Sequence, residues 1–134
     1  MRLIILGSSS AANGYVLDNG REALVLECGC PLADLQRAVG FDLRRVSGVL
    51  LTHEHADHAR HAAKYIKAAL PLYASAGTLM KLPDEVCTST FSYPVRSPKP
   101  FRVGGFRVLP FNVKHDAAEP LGFLVVHPEM GAAV

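Results

Sequence analysis

The spacing of apolar side chains predicts paired strands at the start of the chain. The aliphatic run from Arg2 to Leu6 is typical of a strand, and the small polar stretch from Ser8 to Gly14 predicts a loop after it. Tyr15 to Leu17 and Ala23 to Leu26 flank Asp18-Asn19-Gly20, in which Asn-Gly favours the positive φ angles of a tight hairpin turn. We therefore expect an antiparallel pair in this segment.

The middle of the chain changes to a helical period. Pro31 to Val39 predicts a short helix that Gly40 ends, and Val46 to Leu51 predicts a buried strand. From Asp57 to Leu70, alanine, isoleucine and leucine recur at intervals of three and four residues and form one apolar stripe of a helix. Pro71 prevents this helix from continuing.

Beyond this helix the pattern returns to short strands. Residues 84–100 show little periodicity and predict a surface excursion with at most one edge strand. The remaining predicted elements are the strand Leu72 to Ala74, the helix Ser75 to Leu82 capped by Ser75, the hairpin of Phe101 to Val103 and Phe106 to Phe111, and the strand Leu121 to Val126. Strands that first pair locally and then alternate with helices predict an α/β fold with one mixed β-sheet and helices on its outer face.

Length and composition fit a single domain over residues 1–134. Apolar residues make up 49% of the chain and charged residues 19%, which excludes a disordered or collagen-like protein. No aliphatic run approaches the roughly 18 residues of a membrane-spanning helix, and no secretory leader is recognisable. The three cysteines are an odd number without an export signal, so we expect free thiols and a cytoplasmic location. A net charge of +2 is too small to indicate nucleic-acid binding by itself.

The segment Thr52-His53-Glu54-His55-Ala56-Asp57-His58 carries the strongest chemical signal. It lies where a buried strand gives way to a helix. With six histidines in the chain, a chance His-x-His-x-Asp-His match has an expectation of about 5 in 10,000. Two histidines separated by one residue can face the same side of an extended backbone and share a metal ion, while Asp57 and His58 can turn toward a second ion. The alternative is an exposed, histidine-rich start of a helix.

The chemistry of these side chains favours zinc, with manganese or iron as alternatives. Glu54 is expected to point away from its two neighbouring histidines, since side chains alternate along an extended segment. A general-base role for Glu54 is therefore not expected.

The histidine segment resembles the signature of the metallo-β-lactamase-fold hydrolases, and the rest of the chain resembles their bacterial nuclease-like branch. This resemblance spans nearly the whole chain. Two departures from the family pattern are Glu27, where aspartate is commoner, and Ala59 to Ala62, where a glycine is usual. The segments that carry it beyond the histidines are Gly7-Ser8-Ser9-Ser10 with Asn13-Gly14, Leu24 to Gly29, His115-Asp116, and Glu119 to Phe123.

The resemblance implies a metal centre and its ligands. His53, His55 and His115 would form the first site, and Asp57 with His58 would start the second, with Asp57 in the catalytic role. The family completes its second site with an aspartate and a histidine from a later half of the fold. The chain therefore resembles the N-terminal half of the four-layer αββα sandwich, an incomplete domain of the family.

The function implied by the resemblance is hydrolysis of a phosphodiester, in DNA or RNA, by the full-length form. Hydrolysis of a thioester, lactone or β-lactam remains open, because fold and signature do not determine the substrate. A different class of function also remains open, namely a metal-binding or structural half-domain without turnover.

Several other polar residues allow a functional and a structural interpretation. Ser8, Ser9 and Asn13 could bind a substrate phosphate or simply form a loop. His61 and His127 are interpreted as exposed or surface histidines, and Cys28 and Cys30 as buried thiols. The basic residues of the long helix, which could follow a phosphate backbone or form a solvated face, are Arg60, Lys64 and Lys67.

The half-domain interpretation predicts assembly. An apolar sheet face without cover from its own chain favours a homodimer or association with a missing C-terminal half. The strands expected to expose that face are those around Leu3 to Leu6, Leu24 to Leu26, Val49 to Leu51, Phe106 to Phe111 and Leu121 to Val126.

Overall fold

Two β-sheets face each other, and helices cover the outer side of the larger sheet. We describe this arrangement from a computed structural model, which describes residues 1–129. The larger sheet has six strands in the order β1-β2-β3-β4-β5-β6. Its first three strands pair antiparallel and the others parallel. The strands are β1 (Arg2–Ser8), β2 (Asn13–Asp18), β3 (Ala23–Leu26), β4 (Val46–Leu50), β5 (Leu72–Ala74) and β6 (Ser92–Pro94).

Side chains alternate between two cores along the central strands of this sheet. Val25 and Val49 point outward into the core beneath the helices, whereas Leu24 and Leu50 point inward to the second sheet. This explains why β3 and β4 are apolar at successive positions. The helices are α1 (Leu32–Ala38), α2 (Ala56–Ala59), α3 (Ala62–Lys67), α4 (Ala76–Met80) and α5 (Asp84–Cys87), with a short 3-10 helix at Leu43–Arg45.

The predicted α/β fold, with a mixed sheet and helices on its outer face, is confirmed, but a second sheet is present where only one was expected. Its three antiparallel strands are β7 (Phe101–Val103), β8 (Phe106–Asn112) and β9 (Leu121–Val126). Phe106 and Val125 are fully buried against Leu24 and Leu50 of the larger sheet. The inner faces therefore cover each other, and the expectation that β4, β8 and β9 expose one apolar face was wrong. On β1, Leu3 and Ile5 stay 57% and 61% exposed.

Other local predictions were largely confirmed, with two exceptions in the helices. The helix predicted from Asp57 to Leu70 is interrupted, because the backbone N–H of His61 donates to Cys28 O outside the helix. Within the segment 84–100 the structure adds α5, while β6 is the edge strand allowed there. Ser75 caps α4 as predicted, because its hydroxyl oxygen accepts the Thr78 N–H at 3.1 Å.

None of the helices within residues 1–129 has the length and hydropathy needed to cross a membrane. The thiols of Cys28, Cys30 and Cys87 are free, and the first two are buried as predicted.

Candidate metal centre

The candidate metal centre lies at the carboxyl ends of two neighbouring parallel strands. Glu27 follows β3, and the histidine segment follows β4, which pairs with β3 in parallel. Because the carboxyl ends of parallel strands meet at one edge of a sheet, residues far apart in sequence become neighbours there. His115 reaches the same edge from the loop between β8 and β9.

His53, His55 and His115 form one group, and all three offer a ring nitrogen within 4.8 Å of the others. The ring centroids of His53 and His115 are 4.4 Å apart, and those of His53 and His55 are 4.8 Å apart. Three imidazoles at this spacing match the protein ligand set of a tetrahedral zinc ion that keeps one position open. The fold thus brings together the three histidines that the family resemblance assigned to the first metal site.

Glu27 is the buried anchor of the site. Its side chain is 6% exposed, and its Oε1 accepts the Thr52 N–H at 2.9 Å. The Thr52 hydroxyl donates to Glu27 Oε2 at 2.8 Å. The backbone of Glu27 has a φ of 70°, a left-handed conformation that residues with a side chain rarely adopt.

The Thr52 hydroxyl also determines the protonation of His53. Thr52 Oγ1 lies 2.8 Å from His53 Nδ1, and its single proton is used on Glu27. His53 Nδ1 must therefore carry the proton that it donates to Oγ1. The other nitrogen, Nε2, is left with a free lone pair, which is the form of imidazole that binds a metal.

His58 is held by the same carboxylate. Its Nδ1 forms a hydrogen bond with Glu27 Oε2, and this bond raises the pKa of His58. The Nε2 atom of His58 is left facing Asp57 Oδ2 at 3.3 Å. Glu27 thus orients one histidine from each of the two expected metal sites.

An unpartnered atom in the centre fits a metal. His53 Nε2 is buried and has no hydrogen-bond partner among the described residues. Burial lowers the pKa of His53 and so favours the neutral ring. A buried lone pair without a donor is costly. Its position among the other histidines makes it a suitable metal ligand.

Asp57 lies beside this cluster and belongs to neither of the two ligand groups within residues 1–129, which are His53, His55 and His115, and Glu27, His53 and His58. Asn13 Nδ2 donates to Asp57 Oδ2 at 3.1 Å and to Ser9 O at 2.8 Å. Asn13 is therefore occupied in holding Asp57 and the first loop together.

The hydroxyls of the first loop also have partners. Ser9 Oγ accepts from the Ala11 and Ala12 N–H groups, and Ser8 Oγ accepts from the Tyr15 hydroxyl at 3.1 Å. A role of Ser8, Ser9 and Asn13 in substrate binding stays a prediction.

Two further histidines have structural partners. His127 is buried, so the expectation of a surface residue was wrong, and its Nε2 lies 2.9 Å from Glu22 Oε1. His61 is half-buried at the start of α3, where its carbonyl accepts from the Lys64 and Tyr65 N–H groups.

The anchoring roles of Glu27 and Thr52 were missed from the sequence. The sequence did contain a signal. Glu27 directly follows the buried strand β3, and Thr52 lies just after the buried strand β4. If these two strands pair in parallel, the two side chains are expected to meet. That pairing itself is a tertiary feature.

Gly29 permits the close approach of the Asp57 backbone. A Cβ at position 29 would overlap the Asp57 carbonyl oxygen and lie 2.8 Å from Asn13 N. We expect Gly29→Ala to displace the Asp57 loop, to reduce the free energy of unfolding by about 2–3 kcal/mol and to weaken metal binding. Urea unfolding and zinc titration measure these effects. Gly20→Ala is the control for metal binding, because its Cβ meets open space in the turn between β2 and β3, and its positive φ lowers stability through backbone strain alone. Zinc affinity of Gly29→Ala equal to that of wild type and of Gly20→Ala would contradict this interpretation.

Comparison with known proteins identifies the family. The family model of the metallo-beta-lactamase superfamily matches residues 9–121. The chain therefore belongs to the metallo-beta-lactamase superfamily. This fold implies binding of a divalent metal, and the histidine cluster is the group placed to hold it.

Among individual proteins, the chain is similar to the exodeoxyribonuclease YycJ of Bacillus anthracis. The two are 32% identical, over 87% of this chain and 47% of that protein. The chain thus spans about half the length of the curated relative it matches.

Solved structures share the fold at lower identity. The metallo-beta-lactamase fold protein YhfI from Bacillus subtilis superposes with a TM-score of 0.69 at 19% identity, over 92% of this chain and 56% of that one. The Rm3 metallo-beta-lactamase gives a TM-score of 0.74 at 15% identity, over 98% and 56%. At these identities the likeness concerns the fold alone.

Proposed function

We propose that this chain carries the zinc-binding part of a hydrolase that cleaves phosphodiester bonds in DNA or RNA. The observation that carries the proposal is the buried, unpartnered Nε2 of His53 in contact range of two further histidines. The similarity to an exodeoxyribonuclease supports a nucleic-acid substrate. The three free cysteines are in keeping with the proposed cytoplasmic location.

The residues of the centre have distinct roles in this proposal. His53, His55 and His115 bind the first ion, and His58 and Asp57 contribute to a second. A divalent metal supplies Lewis-acid activation of water and of the scissile phosphate. Asn13 orients the Asp57 carboxylate, and Glu27 orients the ring of His58 through Nδ1. Thr52, which donates to Glu27, holds His53 in the tautomer that leaves Nε2 unprotonated.

The exposed basic residues of the helices give no specific support for a nucleic-acid substrate. Arg60, Lys64 and Lys67 are exposed, which suits either a solvated face or contact with a phosphate backbone. They carry no part of the proposal.

We expect the 134-residue chain alone to bind zinc but to hydrolyse phosphodiesters weakly or not at all. The second ion is assigned only His58 and Asp57 as ligands, and Asp57 joins no ligand group of residues 1–129, whereas two-metal catalysis needs both ions held firmly. Hydrolysis of bis-p-nitrophenyl phosphate with zinc or manganese, in wild type and Asp57→Ala, is the measurement. Robust turnover that disappears in Asp57→Ala would show that the chain is active as it stands.

The alternative function, a metal-binding half-domain without turnover, has the same zinc affinity and differs in catalysis. Addition of the remaining half of a full-length relative, followed by the same hydrolysis assay, separates the two. Restored turnover supports the nuclease, whereas zinc binding without turnover supports the half-domain.

We further propose that either a second copy of the chain or a C-terminal half like that of its longer relatives packs on the outer face of the three-stranded sheet. Leu109 and Leu124 lie directly opposite each other there, and Val126 and Phe111 extend the patch, all between 37% and 44% exposed. Adjacent exposed apolar residues of this kind mark interfaces. Sedimentation at micromolar concentration is expected to show a dimer, and Leu124→Lys a monomer. A wild-type monomer would exclude the homodimer and favour a C-terminal half as the partner of this face.

A further inference from the structure

Glu54 connects the strand end that carries two of the clustered histidines to the loop that carries the third. Its Oε2 accepts the Ala118 N–H at 2.9 Å, across 64 positions of sequence. Glu54 joins neither ligand group of residues 1–129. Its other oxygen, Oε1, is buried and has no hydrogen-bond partner in the described part of the chain. The orientation of the Glu54 carboxylate therefore depends on its hydrogen bond to Ala118 in the loop.

The three histidines differ in how firmly the fold holds them. His53 is 6% exposed and follows β4 directly, with its ring bound to Thr52. His115 is exposed and lies on the loop between Asn112 and Leu121, outside any helix or strand. Its placement beside His53 therefore depends on what holds that loop.

The far end of the loop is tied to the body of the protein by hydrogen bonds of Glu119 and Leu121. Glu119 Oε1 accepts from the Gly77 N–H at 2.8 Å, and Glu119 O accepts from the Ser75 hydroxyl at 2.7 Å. Leu121 N donates to Thr52 O at 3.0 Å. These bonds orient the start of β9 but lie four or more residues beyond His115.

The bond of Glu54 lies closer to His115 than these ties. It holds Ala118, three residues after His115, and a turn in which Ala117 N donates to His115 O at 2.9 Å joins the two. It also starts from the residue between His53 and His55. This bond therefore links the His115 loop directly to the segment that carries His53 and His55.

We propose that Glu54 is a positioning residue, which holds the His115 loop so that the three-histidine site is assembled before the metal arrives. This inference rests on the proposed metal site and assigns a role to a residue that binds no metal itself. Removal of such an outer contact typically costs about 10–100-fold in metal affinity.

Zinc titration of the 134-residue chain against a competing chelator tests the proposal. We expect Glu54→Ala to raise the zinc dissociation constant about tenfold. Glu54→Gln keeps an oxygen that can accept the Ala118 N–H and should stay within about threefold of wild type. Glu85→Ala is the matched control, because Glu85 is exposed on α5 and should leave the affinity unchanged.

A double-mutant cycle separates positioning from a general structural effect. If Glu54 acts through His115, adding Glu54→Ala to His115→Ala should cause no further loss of zinc affinity. Hydrogen exchange of the Ala118 amide in metal-free protein gives an independent readout, and it should accelerate in Glu54→Ala but not in Glu85→Ala.

The outcomes distinguish this inference from the proposed function. If wild type binds zinc and Glu54→Ala binds it equally well, or if the loss is as large in the His115→Ala background, the positioning role is overturned and the metal site stands. If wild type binds no zinc, the proposed function is overturned and this inference with it.

Discussion

Replacing His55 with alanine is expected to remove the zinc that the wild-type chain binds. We expect about one tightly bound ion per wild-type chain and a loss of affinity above about 100-fold in the variant, since one of three protein ligands is gone. Metal analysis after dialysis, with circular dichroism to confirm the fold, is the measurement.

His61→Ala is the control for this experiment. His61 lies six residues from His55, is half-buried and joins none of the ligand groups of residues 1–129. Its variant should keep the wild-type zinc content. Equal zinc in His55→Ala and wild type would refute the assigned ligand set.

The second large effect is expected from Glu27→Ala. The substitution leaves three part-buried donors without their acceptor: the Thr52 N–H, the Thr52 hydroxyl and His58 Nδ1. Each unsatisfied group costs about 1–3 kcal/mol, and the lower end applies here because the three donors are only part-buried. We therefore expect a loss of roughly 3–5 kcal/mol in the free energy of unfolding. Zinc affinity should fall as well, because the rings of His53 and His58 lose the partners that orient them.

Urea unfolding of the metal-free protein separates the structural part of this effect from the metal-dependent part. Glu27→Gln should be intermediate, since it keeps the size of the side chain but replaces one acceptor oxygen with a donor. Glu85→Gln, at an exposed site, should change neither property. An unfolding midpoint of Glu27→Ala equal to that of wild type would mean that the buried network contributes nothing to stability.

The sequence by itself determined features that depend on neighbouring residues. The hairpin at Asn19-Gly20, the cap at Ser75 and the end of the helix before Pro71 follow from local backbone preferences, and the structure contains each of them. The clustering of His53 and His55 is local too, because a spacing of two residues on an extended segment places both rings in reach of one point.

Only the tertiary structure decided which strands share a sheet. The apolar alternation of β8 and β9 is the same whether they extend the first sheet or form a second one. The choice depends on side chains such as Phe106 packing against Leu50, more than fifty residues away, and no local pattern records such a contact. For the same reason the sequence could not show that the inner faces cover each other.

The candidate site also contains features that the sequence determined and others that only the tertiary structure decided. The histidine segment was recognisable from its spacing, and His115 was added by family resemblance. Glu27 became its anchor only because the parallel pairing of β3 with β4 brings the two strand ends together. Local sequence determines which chemical groups are available, while long-range packing determines their partners, because hydrogen bonds between distant residues depend on the register of the whole sheet.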